Sequence, residues 1–395
     1  MQPIKSGVQS YTADMGTRNE CGGPVVVTAD NRLLWVVLYP KDGNGHLEIM
    51  ESSDQGLAWS APRPILVSEK PFGYQSQGLT RLASGRLLHI ISQAQGYDPS
   101  DLSKSINQPM AQWSDDHGAT WTEPVLMPIE VGYMSNVLSI SQLQSGRVVF
   151  PFGFLTPHQG RFAVGVCWSD DDGATWQRSA DILEAGGEGF ETGAIEPSVA
   201  ELPDGRLWML LRTQTGVQYQ SFSADRGKTW SAAAPSRIPS SNSPAVLLKL
   251  RDGRVLVVWN NCTRGSYDRY SLVAATTRDG RNFQGFREIA NSDAPHATPR
   301  MYWGAMYPYL AEGREGRLFV SYNRGNWSQS GEPVVENRAV MARLEPGWLD
   351  ETVCRDNFED RAAWCAFGAR GTRLSPPDDD APGAWLELEQ QANAR

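Results

Sequence analysis

Two short motifs alternate along the chain, and a repeat of this kind constrains a fold more than any local propensity does. The first motif is Ser-x-Asp-x-Gly-x-x-Trp. It stands at Ser52-Asp54-Gly56-Trp59, Ser114-Asp116-Gly118-Trp121, Ser169-Asp171-Gly173-Trp176 and Ser223-Asp225-Gly227-Trp230. Thr277, Asp279 and Phe283 form a worn fifth copy, one residue short. The aromatic positions step by 62, 55, 54 and 53 residues. The second motif is a tight turn leading into an apolar run. Its six copies begin at Asp30-Asn31-Arg32, Ser84-Gly85-Arg86, Ser145-Gly146-Arg147, Asp204-Gly205-Arg206, Asp252-Gly253-Arg254 and Glu315-Gly316-Arg317. Gly or Asn at the turn tolerates a positive φ. The runs that follow, such as Leu33–Leu38 and Leu207–Leu211, are apolar enough to be buried strands.

Together the two motifs imply roughly four strands in about 50–60 residues, the size of one propeller blade. Six turn copies imply six blades. No helical period of useful length competes. The predicted fold is therefore all-β: a six-bladed β-propeller of four-stranded antiparallel blades over residues 1–345. A C-terminal extension, 346–395, carries Trp348, Phe358, Trp364, Phe367, Leu374 and Trp385 beside the acidic run Asp378-Asp379-Asp380. It is expected to add a few strands packed on the propeller, or to begin a truncated β-sandwich. Within the first motif, Ser and Asp can accept or share backbone N–H bonds of the turn, and Trp can bury a large face in its blade. These Asp residues are accordingly read as structural.

Composition narrows function. The 395 residues carry 36 Lys+Arg against 45 Asp+Glu, a formal charge of −9 with no basic run, which argues against nucleic acid as a partner. No apolar stretch of about 18 residues predicts a membrane span. Met1 to Gly16 shows no apolar signal core, so no secretory leader is expected, which leaves a cytoplasmic protein or a secreted one whose leader has been removed. Cys21, Cys167, Cys262, Cys354 and Cys365 are too few and scattered for a disulfide framework, with Cys354 and Cys365 the candidate pair. None forms a CxxC pair or has a His at metal-ligand spacing, and no metal or cofactor is expected.

The first motif is the Asp-box (BNR repeat), and six blades carrying it resemble the sialidase (neuraminidase) superfamily over roughly residues 15–345. Repeat phase alone sends Gly22-Gly23-Pro24, Ile195-Glu196-Pro197, Asn242-Ser243-Pro244 and Met306-Tyr307-Pro308 to one funnel, with Arg212 and Asn260 at the ends of neighbouring segments. The stretch from Glu196-Pro197-Ser198 to Arg212 resembles the sialidase segment bearing the catalytic Glu and the second Arg of an arginine triad. Tyr307 matches the nucleophilic Tyr, with Tyr309 the alternative. Arg269 resembles the third Arg, with Arg264 as backup. The first triad Arg is absent, since Gly22 stands at its place, and Arg18 is the nearby substitute. Asp42, in the Gly-rich loop after Tyr39-Pro40-Lys41, is nearest to the acid/base Asp. Trp303 would form a sugar-stacking wall.

The resemblance implies a retaining exo-glycosidase, exo-α-sialidase-like, that releases a terminal sialic acid or related acidic sugar from a glycan or glycoconjugate. Sialidases use a Tyr nucleophile where most retaining glycosidases use a carboxylate. The substrate's own anomeric carboxylate would repel an anionic nucleophile, so a neutral Tyr with Glu as base is the suitable pair. Two alternatives stay open: a non-catalytic carbohydrate-binding propeller, and a polysaccharide lyase acting on uronic acids with Tyr307 as acid/base.

Overall fold

The computed structural model describes residues 8–12, 21–41, 44–68, 73–96, 98, 101–156, 161–187, 192–262, 269–291, 301–328, 337–345 and 347–350. These form six four-stranded antiparallel sheets, as the alternating motifs predict. Blade 1 runs through Cys21–Val27, Leu33–Lys41, Asn44–Ser52 and Arg63–Leu66. Blade 2 follows with Tyr74–Arg81, Leu87–Gly96, Ile106–Ser114 and Val125–Leu126. Blade 3 comprises Ser141–Gln142, Val148–Leu155, Phe162–Ser169 and Gln177–Arg178. Blade 4 comprises Ile195–Glu201, Leu207–Arg212, Val217–Ser223 and Ala234–Pro239. Blade 5 comprises Val246–Lys249, Val255–Asn260, Ser271–Thr277 and Phe283–Asn291.

Blade 6 is built differently. Met301–Glu312, Leu318–Ser328 and Asn337–Leu344 supply its three inner strands, and Val8–Thr12 from the start of the chain supplies the outermost. That strand lies antiparallel to Asn337–Leu344, with Val8 opposite Leu344 and Thr12 opposite Val340. The ring is thus closed by main-chain hydrogen bonds between the two ends of the propeller.

The second strand of each blade is nearly continuous in apolar residues because both of its faces are covered by neighbouring blades. Six hydrophobic clusters result, one at each interface between adjacent blades. Val25, Trp35 and Met50 of blade 1 pack with Ala311, Phe319 and Met341 of blade 6. Trp208, Leu210 and Ala200 of blade 4 pack with Val257, Trp259 and Val273 of blade 5. Trp348 and Leu349 join the cluster between blades 5 and 6. The rest of the aromatic C-terminal segment, and the Cys354–Cys365 pair, lie outside the described residues.

Both repeat motifs fall on the same face of the ring. The turns after each first strand and the Asp-box turns after each third strand lie side by side there. Arg86 forks onto the Asp115 carboxylate with two contacts of 2.7 Å, and Arg147 does the same to Asp170. In blades 2 and 3 the Arg of the second motif is therefore held by the residue after the Ser of the first, whereas Arg32, Arg206 and Arg254 pair with the Asp of their own turn. The opposite face receives the starts of the first strands and the ends of the second. Chemistry placed there is free of the repeat's own structural carboxylates.

Candidate active site

Four of the first strands carry a bulge, in blades 1, 2, 4 and 6, and two of these bulges carry the principal sequence-predicted residues. In blade 4 the register breaks between Ile195 and Ser198, and in blade 6 between Met306 and Tyr309. The unpaired residues are Glu196-Pro197 and Tyr307-Pro308. Proline suits a bulge because it has no N–H to leave unsatisfied. In these two bulges the residue before the proline stands in the left-handed region, with φ of 47° at Glu196 and 52° at Tyr307. Such a backbone costs about 1–3 kcal/mol for a non-glycine residue and persists only where the surrounding structure enforces it. Gly23-Pro24 forms the matching bulge of blade 1.

The bulges turn Glu196 and Tyr307 toward the axis. Glu196 is 4% exposed and Arg212 2%. Arg212 Nη1 donates to Glu196 Oε2 at 2.7 Å, and Arg212 Nε donates to Asn242 Oδ1 at 2.6 Å. The Glu196 N–H reaches Ser135 Oγ of blade 3 at 3.4 Å. Arg269 is equally buried. Its Nη2 donates to the Asn242 carbonyl at 3.2 Å, and its guanidinium carbon lies 4.8 Å from the Tyr307 ring centroid, a cation–π contact. Tyr307 is partly exposed, whereas Tyr309 is buried beside Leu138 and Val246. Burial, reinforced by the charge of Glu196 and by Tyr307, holds the Tyr309 phenol well above its ordinary range. Of the two tyrosines, Tyr307 is the more exposed.

Asn260 is fully buried. Its Nδ2 donates to the carbonyls of Ala305 (2.9 Å), Arg269 (3.3 Å) and Ser271 (3.3 Å). Ala305 N–H returns a 2.9 Å bond to the Arg269 carbonyl. Asn260 thus ties the Arg269 segment of blade 5 to the strand that carries Tyr307. Trp303 lies on that same strand, Met301–Glu312. Arg18, Asp42 and the backup Arg264 fall outside the described residues.

At Gly22 the structure explains the missing arginine. The Gly22 N–H donates to Asn323 Oδ1 at 2.6 Å. A Cβ at this position would stand 2.7 Å from Ser321 Oγ and 3.3 Å from the Trp35 ring. Ser321 Oγ is itself held by Trp35 Nε1 at 2.7 Å, so it is not free to move aside. Position 22 is therefore closed to any side chain.

Sequence reasoning named Asn242 as funnel-lining but gave it no role. It contacts both arginines across 30 and 27 positions of sequence. An Asn-Ser-Pro turn looks ordinary in the sequence, so no local signal marked it.

Beyond the bulges the first strands enclose an axial channel of about 460 Å³, lined by Val25, Leu138, Val246 and Tyr309 and running to Glu201, Lys249 and Glu312 near the turn face. Glu196, Arg212, Asn242, Arg269 and Tyr307 gather at its other end. Among these, two guanidiniums accompany one carboxylate, in a chain whose net charge is −9. Local positive charge at the end of a channel favours an anionic ligand.

Comparison with known proteins agrees with this architecture. The anhydrosialidase of Macrobdella decora is 25% identical over 239 residues, which take in 55% of this chain and 30% of that protein. The chain therefore spans under a third of that relative's length. Among solved structures, a protein of unknown function from Dyadobacter fermentans DSM 18053 superposes with a TM-score of 0.65 at 19% identity, over 86% of this chain and 100% of that one. The intramolecular trans-sialidase from Ruminococcus gnavus gives 0.65 at 14% identity, over 88% and 99%. At such identities these structures establish the fold, the six-bladed propeller of sialidases. The BNR repeat-like domain matches residues 79–320, more than half of the chain, and the protein belongs to that family, with sialidases as distant homologues.

Proposed function

We propose that this propeller is a sialidase-type retaining exo-glycosidase acting on a terminal acidic sugar. The observation that carries the reading is the buried Glu196–Arg212 pair at 2.7 Å, joined through Asn242 to an Arg269 stacked on Tyr307. The similarity to a leech anhydrosialidase supports it. In this mechanism Arg212 and Arg269 hold the substrate carboxylate, a task suited to planar guanidinium forks. Tyr307 Oη attacks the anomeric carbon while Glu196 takes the phenol proton. Asp42 protonates the departing glycosidic oxygen. In the second step Asp42 takes a proton from water, the water oxygen displaces Tyr307, and Glu196 returns the proton to the phenol. Trp303 would form the wall against which the sugar stacks, and Arg18 is the candidate for further charge from outside the described residues.

The closure of position 22 to any side chain favours a second reading within the same chemistry. Two arginines suffice for one carboxylate, so a related ulosonic or uronic acid is a fitting substrate.

The test is hydrolysis of a fluorogenic α-linked sialic acid by wild type, Glu196→Gln and Tyr307→Phe, followed by a panel of fluorogenic uronides. Turnover should fall by about 10²-fold or more in each variant, as expected for loss of a base or nucleophile. Melting curves should show both variants folded. A folded wild type inert to every acidic glycoside would overturn the hydrolase reading. An unsaturated, ultraviolet-absorbing product would replace it with a lyase.

A further inference from the structure

Asn242 occupies the middle of a tight three-residue turn, closed by the Ser243 N–H onto the Ser241 carbonyl at 2.7 Å. The turn is anchored from blade 4. Gln218, fully buried, donates through Nε2 to the Ser243 carbonyl at 2.7 Å and to Ser240 Oγ at 2.8 Å. The backbone carbonyl of Asn242 meets Arg269, and its side chain meets Arg212.

The side-chain orientation follows from hydrogen-bond chemistry. A guanidinium Nε–H only donates, so the Asn242 atom facing it at 2.6 Å must be the oxygen. The amide nitrogen therefore points away from Arg212. Asn242 is 2% exposed, and its Nδ2 has no hydrogen-bond acceptor among the described residues. A buried donor left in that state is costly, and native proteins seldom keep one without a use.

We propose that Asn242 binds substrate: its side-chain NH₂ donates to an oxygen of the carboxylate that Arg212 and Arg269 grip. This rests on the acidic-sugar reading above and adds a neutral third donor to it. The two guanidiniums supply charge, and the amide fixes the plane of the carboxylate. The donor set would then discriminate an acid from its amide or ester.

Asn242→Asp separates this role from mere support of the arginines. The Asp oxygen still accepts from Arg212 Nε, but the donor becomes a negative oxygen facing the ligand. With the fluorogenic glycoside that wild type turns over best, KM should rise about 10- to 100-fold, the range for a lost bond to a charged group. The change in kcat should be smaller. An unchanged KM would overturn the proposal, because support alone survives this substitution. A crystal structure of wild type with the free acidic sugar gives a second readout that needs no variant. Nδ2 within hydrogen-bond distance of a carboxylate oxygen supports the assignment, and Nδ2 bonded only to water or protein overturns it. A wild type that binds no sialic or uronic acid by calorimetry removes both this proposal and the acidic-sugar reading, an outcome distinct from a variant that behaves as wild type.

Discussion

His89 holds the repeat position that Trp35 fills in blade 1 and Phe150 in blade 3. It meets Trp121 of the Asp-box at 5.6 Å, edge to face, as those two rings meet Trp59 and Trp176. Gln112 Nε2 donates to its Nδ1 at 2.9 Å, so the imidazole serves as a neutral aromatic with one polar edge. Complete burial pushes its pKa from 6.5 down to about 3. The unfolded chain thus gains a proton near pH 6.5 that the folded one refuses until about pH 3. Stability contributed by the neutral ring is complete above that upper value and drains away as pH falls between the two. A His89→Phe/Gln112→Leu variant should lose this dependence. Its difference from wild type in urea unfolding should be flat above about pH 7 and move in the variant's favour below about pH 6. A flat difference throughout would show that the folded His89 takes the proton as readily as the unfolded one. Phase arithmetic made Glu196, Arg212 and Tyr307 legible, because the starts of first strands and the ends of second strands recur at fixed points of the repeat. Asn242 was not, because what matters there is which atoms meet across blades.

The Asp-box turn shows what a motif tells and what it withholds. In blade 2, Asp116 Oδ1 accepts the Ser114 hydroxyl and the Thr120 N–H at 2.8 Å each, and its Oδ2 takes the Thr120 hydroxyl at 2.6 Å. The Thr120 bonds hold the Asp116 carboxyl down at about 2. This much the sequence predicts from turn chemistry. The glycine has a second constraint that it does not. At Gly56, φ is +83° and a Cβ would lie 3.0 Å from the Phe319 ring of the neighbouring blade. At Gly205, in the other motif, φ is +84° and a Cβ would meet nothing. Gly205→Ala should therefore cost only the left-handed strain, about 1–2 kcal/mol. Gly56→Ala should cost more by about 1–3 kcal/mol, because overpacking against Phe319 is added. Urea unfolding of the two variants checks this, and equal losses would mean that the blade interface yields freely.

Across the whole molecule, stability rests on six similar interfaces between six separate sheets arranged in a closed ring. The count of six blades was legible because every blade repeats the same turn. The closure was not, because nothing in Val8–Thr12 announces a partner more than 300 residues away. Deleting residues 1–12 should leave blade 6 with three strands and the Asn337–Leu344 edge bare. The melting temperature should fall by several degrees, and association through that edge should appear in light scattering. An unchanged melting temperature in a monomeric deletion variant would show that the last strand adds little.

The borrowed outer strand also sets a schedule for biosynthesis. Synthesis proceeds from the N-terminus, so Val8–Thr12 leaves the ribosome before any of the blades and finds its partner last. Blades 1 to 5 can assemble in order of appearance, while that short segment must stay solvated and unpaired until Leu344 has emerged. The two arginines on blades 4 and 5 emerge before Tyr307 and before Asn337–Leu344, the partner of the waiting segment. The pocket is therefore completed late, and a chain stalled before blade 6 would carry Glu196 and Arg212 without their tyrosine.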